Sequence, residues 1–252
     1  MKRKYDLIFG LGAACHNSIL LRSCGLQLNS YPFDWLFGSD FGGRMGILLS
    51  QFKRFIELGD LEYAHSERSI KCDAYHNKYN DLTFNHDFPA GIDVAVSYKC
   101  VNDKYRRRIH RLLNQICESK KVLIVYSEVP SQPENLSNAQ IKKFLEPIQA
   151  KWPQCQIDLL YIASDINMPH GNYKVVADTN DFIKIVANYQ NASIGAESWM
   201  VDNSVLKKII CRRYTLNMPI KKRMKILALR YCIKIIPCHN IRHKLYQKYH
   251  IT

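Results

Sequence analysis

The sequence has few of the usual markers of a bound cofactor. Its nine cysteines include no C-x-x-C pair, are odd in number and lie far apart. That pattern suggests neither a disulfide framework nor a zinc ribbon, and reduced thiols in the cytoplasm are the simpler expectation. The histidines at 16, 76, 110 and 170 lack a metal-ligand spacing such as H-E-x-x-H, so no metal is expected. Gly10 and Gly12 supply two glycines of a dinucleotide fingerprint, but Cys15 stands where the third small residue belongs, which argues against a nicotinamide or flavin cofactor. A run of about 18 uncharged apolar residues is missing, so no spanning helix is expected. The basic residues 2–4 are followed by an apolar stretch, yet Asp6 interrupts it and it is too short for a signal-peptide core.

Acids are missing altogether from one part of the chain. Residues 1–205 carry 23 Lys and Arg against 22 Asp and Glu, whereas residues 206–252 carry 13 Lys and Arg and no acid, so almost all of the net charge of +14 lies in the last segment. Two parts are expected: an α/β domain over residues 1–205 and a basic helical tail over residues 206–252.

What is present alternates between strand and helix. Residues 5–12 read as a strand ending in a glycine turn, and residues 15–24 as a short helix closed by Gly25. Met45, Leu48, Leu49, Phe52 and Ile56 recur at helical spacing; residues 60–100 look irregular and are rich in Tyr, Asn, Asp and His. Residues 104–119 predict a helix with a basic outer face, 122–126 a buried strand, 137–152 a helix opened by a capping box at Ser137 and Gln140, 157–163 a strand and 173–177 another. This is the pattern of a mostly parallel central sheet flanked by helices. The tail reads as two helices broken near Pro219 and Pro237.

Cys15 is the residue best placed for chemistry. It follows a strand and a glycine turn and opens a helix, where backbone N–H groups stabilise a thiolate and the amides of residues 13–17 face any oxyanion formed beside the sulfur. By itself this position also suits a small buried residue, as most free cysteines are.

The motifs Leu11-Gly-Ala-Ala-Cys15, Tyr31-Pro-Phe-Asp-Trp35 and Asn85-His-Asp-Phe88 are followed by the basic Arg106-Arg-Arg-Ile-His-Arg111 and the strand Lys121-Val-Leu-Ile-Val125. In this order they resemble a bacterial family described as putative papain-like cysteine peptidases, often found in settings of surface-polysaccharide synthesis. The resemblance spans roughly residues 5–200, including Trp199. It implies Cys15 as nucleophile and His86 as its base, with Asp34 and Asp87 as the acids of the matching motifs. Neighbouring side chains in an extended segment point to opposite faces, so Asp87 is awkwardly placed to orient His86; Asp34 or a residue of the 160–180 region is at least as suitable, and His170 is a reserve base.

The expected activity is therefore Cys–His acyl transfer on a small-molecule, glycan or peptide substrate, by hydrolysis or by transfer from a donor such as a coenzyme A thioester. The rival expectation is a non-catalytic accessory protein of polysaccharide assembly. In the tail, Ile226, Leu227, Leu229, Ile233 and Ile236 run beside Arg223, Arg230 and Lys234, which suits a helix lying on the anionic inner membrane as well as a basic helix pair packed on the domain. Nucleic acid ranks last among the partners, since no recognition motif accompanies the charge.

Overall fold

The computed structural model describes residues 2–67, 70–191 and 201–237. The N-terminal apolar run divides at Asp6 into β1 (Arg3–Tyr5) and β2 (Leu7–Gly10). The Asp6 carboxylate accepts from the amides of Lys120 and Lys121 at 3.0 Å and from the Asn217 side chain at 2.9 Å, which pins the amino end of the sheet.

Five strands form the central sheet in the order β2-β7-β8-β10-β9, where β7 is Lys121–Ser127, β8 Gln156–Ser164, β9 Tyr173–Asp178 and β10 Phe182–Ala187. The first four are parallel and only β9 runs against its neighbour, in line with the expected mostly parallel sheet. The continuous apolar runs of β7 and β8 are buried on both faces because helices cover both. On one face Phe9, Ile124, Tyr126 and Tyr161 pack with α2 (Phe41–Leu49), α3 (Val94–Glu118) and α4 (Asn138–Lys151). On the other, Ile8, Leu123, Val125 and Ile162 pack with α1 (His16–Ser23) and α5 (Asn203–Arg213).

A second, antiparallel sheet corrects the expectation of an irregular stretch over residues 60–100. Its order is β3-β6-β5-β4, with β3 Leu36–Gly38, β4 Leu61–Glu67, β5 Cys72–Asn77 and β6 Leu82–Pro89. Register shifts between Tyr63 and His65 and between Asp73 and Tyr75 break the alternation that would have announced these strands. The helix α3 starts at Val94, ahead of the expected 104, because Asp93 caps it by accepting from the Ala95 amide.

The segment set apart as a tail begins inside this fold. Leu206, Ile209 and Ile210 of α5 and Tyr214 are buried in the second core cluster, and β11 (Tyr214–Leu216) pairs in parallel with β1. Cys24, at the end of α1, is disulfide-bonded to Cys211 of α5, with Cα atoms 5.7 Å apart, which corrects the expectation that all nine thiols are reduced. After Pro219, α6 (Ile220–Lys234) turns Ile226 and Ile233 inward and leaves Met224, Tyr231 and Ile235 exposed. Trp199 and the residues after Pro237 lie outside the described residues. No helix among the described residues is long and apolar enough to cross a membrane.

Candidate active site

Beyond β2 the chain passes through Leu11, Gly12, Ala13 and Ala14 to Cys15, the N-cap of α1. The glycine at 12 is required by a close approach: a Cβ there would fall 2.3 Å from Asn17 Nδ2, which donates to the Val125 carbonyl at 2.9 Å. Asn17 thus ties the first turn of α1 to β7, and the elbow ends at the carboxyl edge of the sheet, where α/β proteins gather their sites. The backbone amides of Ala14 and His16 have no acceptor among the described residues, and that of Cys15 donates only to its own sulfur.

The Cys15 side chain is half-buried, and among the described residues its sulfur accepts only from its own backbone N–H. Burial pushes its thiol pKa up, and a bond from its own backbone N–H only partly offsets that. The helix end does not outweigh this burial, so chemistry at the sulfur requires a base.

His86 lies exposed on β6, its ring edge-on to Trp35 with centroids 5.8 Å apart, and its nitrogens have no hydrogen-bond partner among the described residues. No hydrogen bond joins it to Cys15. Trp35 continues from Asp34, whose carbonyl accepts from Ser18 of α1 at 2.7 Å, so a short path of contacts links the two sheets between His86 and the helix that Cys15 opens.

Neither expected carboxylate reaches His86. The Asp34 side chain accepts from Gln27 Nε2, from Arg22 Nη2 at 2.8 Å and from the Tyr31 amide at 3.0 Å. It fixes the aromatic corner, fully buried. Asp87 accepts from the Tyr105 hydroxyl at 2.6 Å and pairs with Lys104, so it anchors β6 to α3 on the face opposite His86. The reserve base His170 is exposed and stands 3.5 Å from Asp202, at the foot of α5.

Sequence reasoning missed three buried polar groups beside the elbow. His16 is 3 % exposed, and its Nε2 lies 2.8 Å from Ser127 Oγ while Nδ1 has no partner among the described residues. Burial, reinforced by the nearby Arg44 charge, lowers its pKa to about 4, so the ring is neutral. Arg44 of α2 is fully buried and binds main-chain carbonyls alone, those of Leu11 (2.8 Å), Ala13, Leu36, Gly38 (2.7 Å) and Ser39. It clamps the elbow to the start of α2. Glu128, also fully buried, accepts from the Tyr161 hydroxyl at 2.6 Å and the Ser164 amide at 2.8 Å. The available signals were a histidine flanking the cysteine, an arginine inside an apolar helix and an acid ending an apolar strand. Among the described residues no three His, Cys, Asp or Glu side chains are grouped to hold a metal ion.

The sequence profile of one family matches residues 6–166, from the start of β2 to just past β8. The chain belongs to the family described as "Putative papain-like cysteine peptidase". The matched stretch includes the Cys15 elbow, the whole antiparallel sheet and His86. An uncharacterized protein of Acanthamoeba polyphaga mimivirus is 25% identical over 223 residues, which is 81% of this chain and 96% of that protein. No solved structure matches.

Proposed function

We propose that the protein is a cysteine-dependent acyl-transfer enzyme with Cys15 as nucleophile. The observation that carries this reading is the elbow: a cysteine opening a helix at the carboxyl edge of a parallel sheet, its sulfur bonded to no other residue and the amides of Ala14 and His16 without acceptors among the described residues. Membership of a family named for cysteine peptidases supports it.

His86 takes the Cys15 proton, and the thiolate attacks the substrate carbonyl carbon. The oxyanion that forms lies against the amides of Ala14, Cys15 and His16. The imidazolium returns the proton to the leaving group as the tetrahedral intermediate collapses to a thioester. Water then releases the acid, or a hydroxyl or amine acceptor takes the acyl group. The substrates in keeping with this reading are a peptide, a glycan or a small acylated molecule in surface-polysaccharide synthesis, with a coenzyme A thioester as a donor for transfer.

The test is the pH dependence of Cys15 alkylation by iodoacetamide, followed by peptide mass spectrometry in the wild type, His86→Ala and His16→Gln. Alkylation of Cys15 at neutral pH faster than that of the other cysteines, and lost in His86→Ala, is expected. Loss in His16→Gln with His86→Ala unchanged would move the base to His16; an ordinary or inert Cys15 in all three overturns catalysis here.

A second reading is a non-catalytic accessory protein at the cytoplasmic face of the membrane, favoured by the exposed Met224, Tyr231 and Ile235 on a helix otherwise rich in lysine and arginine. It is tested by truncation after Met218, since residues 206–216 belong to the core. Retained sedimentation with anionic vesicles would exclude it.

A further inference from the structure

A large open cleft among the described residues lies apart from the Cys15 elbow. It opens where β8 ends, between the β9–β10 hairpin and the segment 130–138 that leads into α4, and has a volume of about 820 Å³. That is the size of a small-molecule site, at the sheet edge where such sites form. Ala163 and Val186 line it beside Lys174, Lys184, Asp165 and Asn138.

The charges in this cleft are not balanced. Lys174 makes no ion pair or hydrogen bond among the described residues, and the Lys184 ammonium donates to the Leu136 carbonyl with no carboxylate beside it. Asp165 is the one acid in the lining, and an oxygen of its carboxylate is held by the Asn167 amide within its own turn. Asn138, the first residue of the 14-residue α4, brings the positive end of that helix to the wall. The two ammonium groups stand on neighbouring strands, since Lys184 pairs with Ala177 and Lys174 with Val186.

We propose that this cleft binds a small organic phosphate, its phosphoryl group between Lys174 and Lys184 and its body over Ala163 and Val186. Two ammonium groups against the single Asp165 carboxylate leave a net positive charge in the lining, to which the helix end adds, and call for an anion. A phosphate monoester carries about −1.5 to −2 at neutral pH and presents three strong acceptor oxygens, enough to reach both ammonium groups and the helix end together, whereas a single carboxylate presents two. Neither Cys15 nor His86 lines the cleft, so the proposal stands apart from the acyl-transfer reading.

The test is calorimetric titration of the full chain with phenyl phosphate, benzoate and benzyl alcohol, which share a ring and differ in charge. Phenyl phosphate is expected to bind, benzoate more weakly and benzyl alcohol not at all. Lys174→Gln and Lys184→Gln should each weaken phenyl phosphate by about tenfold, the loss of one charge-assisted bond. Lys174 is exposed, so its variant reports binding rather than folding; a thermal melt checks Lys184→Gln. Cys15→Ser is expected to bind as the wild type does. Failure of phenyl phosphate to bind, equal binding of all three probes, or binding unchanged in both lysine variants would overturn the proposal.

Discussion

The Nε2 of His16 and the Oγ of Ser127 lie 2.8 Å apart, a buried contact between the first residue of α1 and the last of β7. Its histidine makes stability depend on pH. The folded pKa, about 4, lies below the unfolded value of 6.5, so the unfolded chain takes up the proton first as pH falls. The contribution of the neutral ring is complete above 6.5 and is lost progressively toward 4, on the order of 3 kcal/mol in all. Urea unfolding across that window should show His16→Gln with a flatter dependence than the wild type. Parallel curves would mean that His16 titrates normally in the fold.

Arg44 should tolerate no replacement. Arg44→Met strands five carbonyl acceptors under the elbow and should cost about 3 kcal/mol or more. Arg44→Lys restores the charge but not the planar fork, and should recover only part of the loss. Denaturant midpoints of the two variants give the comparison; a lysine variant as stable as the wild type would show that charge, not geometry, matters there.

Asp87 should behave as a structural residue. Asp87→Ala leaves Lys104 and the buried Tyr105 hydroxyl without their partner and should destabilise the fold by about 2–4 kcal/mol. The pH profile of Cys15 alkylation should be unmoved. A profile shifted in that variant would return Asp87 to the site.

The Cys24–Cys211 bond should make stability sensitive to reductant. It closes most of the chain into one loop, and opening it should cost about 2–5 kcal/mol. Thermal melts with and without dithiothreitol, beside Cys211→Ser, measure this; identical melts would mean the bond adds nothing.

Much of the central sheet was legible because β7 and β8 are continuous apolar runs and α4 opens with a capping box, signals that local physics makes strong. The antiparallel sheet was not, since its strands interleave Asn, Asp, His and Tyr with apolar residues, several of them buried, and slip register twice. At the candidate site the strand–turn–helix around Cys15 was legible from Gly10, Gly12 and the periodicity after them. The burial of His16, Arg44 and Glu128 was not, because each is set by strands distant in sequence. Asp34 illustrates the same limit: its motif is plain in the sequence, but only the fold shows that Gln27, Arg22 and the Tyr31 amide occupy its carboxylate.

The register of β2 also bears on the order in which the molecule is made. Leu7 pairs with Val122 and Gly10 with Val125, and the side chain of Asn17 needs that same Val125 carbonyl. On the ribosome, therefore, Cys15 emerges early and waits as an ordinary chain thiol until β7 follows it out. The β1 pairing of Arg3 with Tyr214 closes later still. Non-local parallel pairing of this kind folds slowly, so the elbow at Cys15, encoded near the start of the chain, is assembled only after about half of the chain has been made.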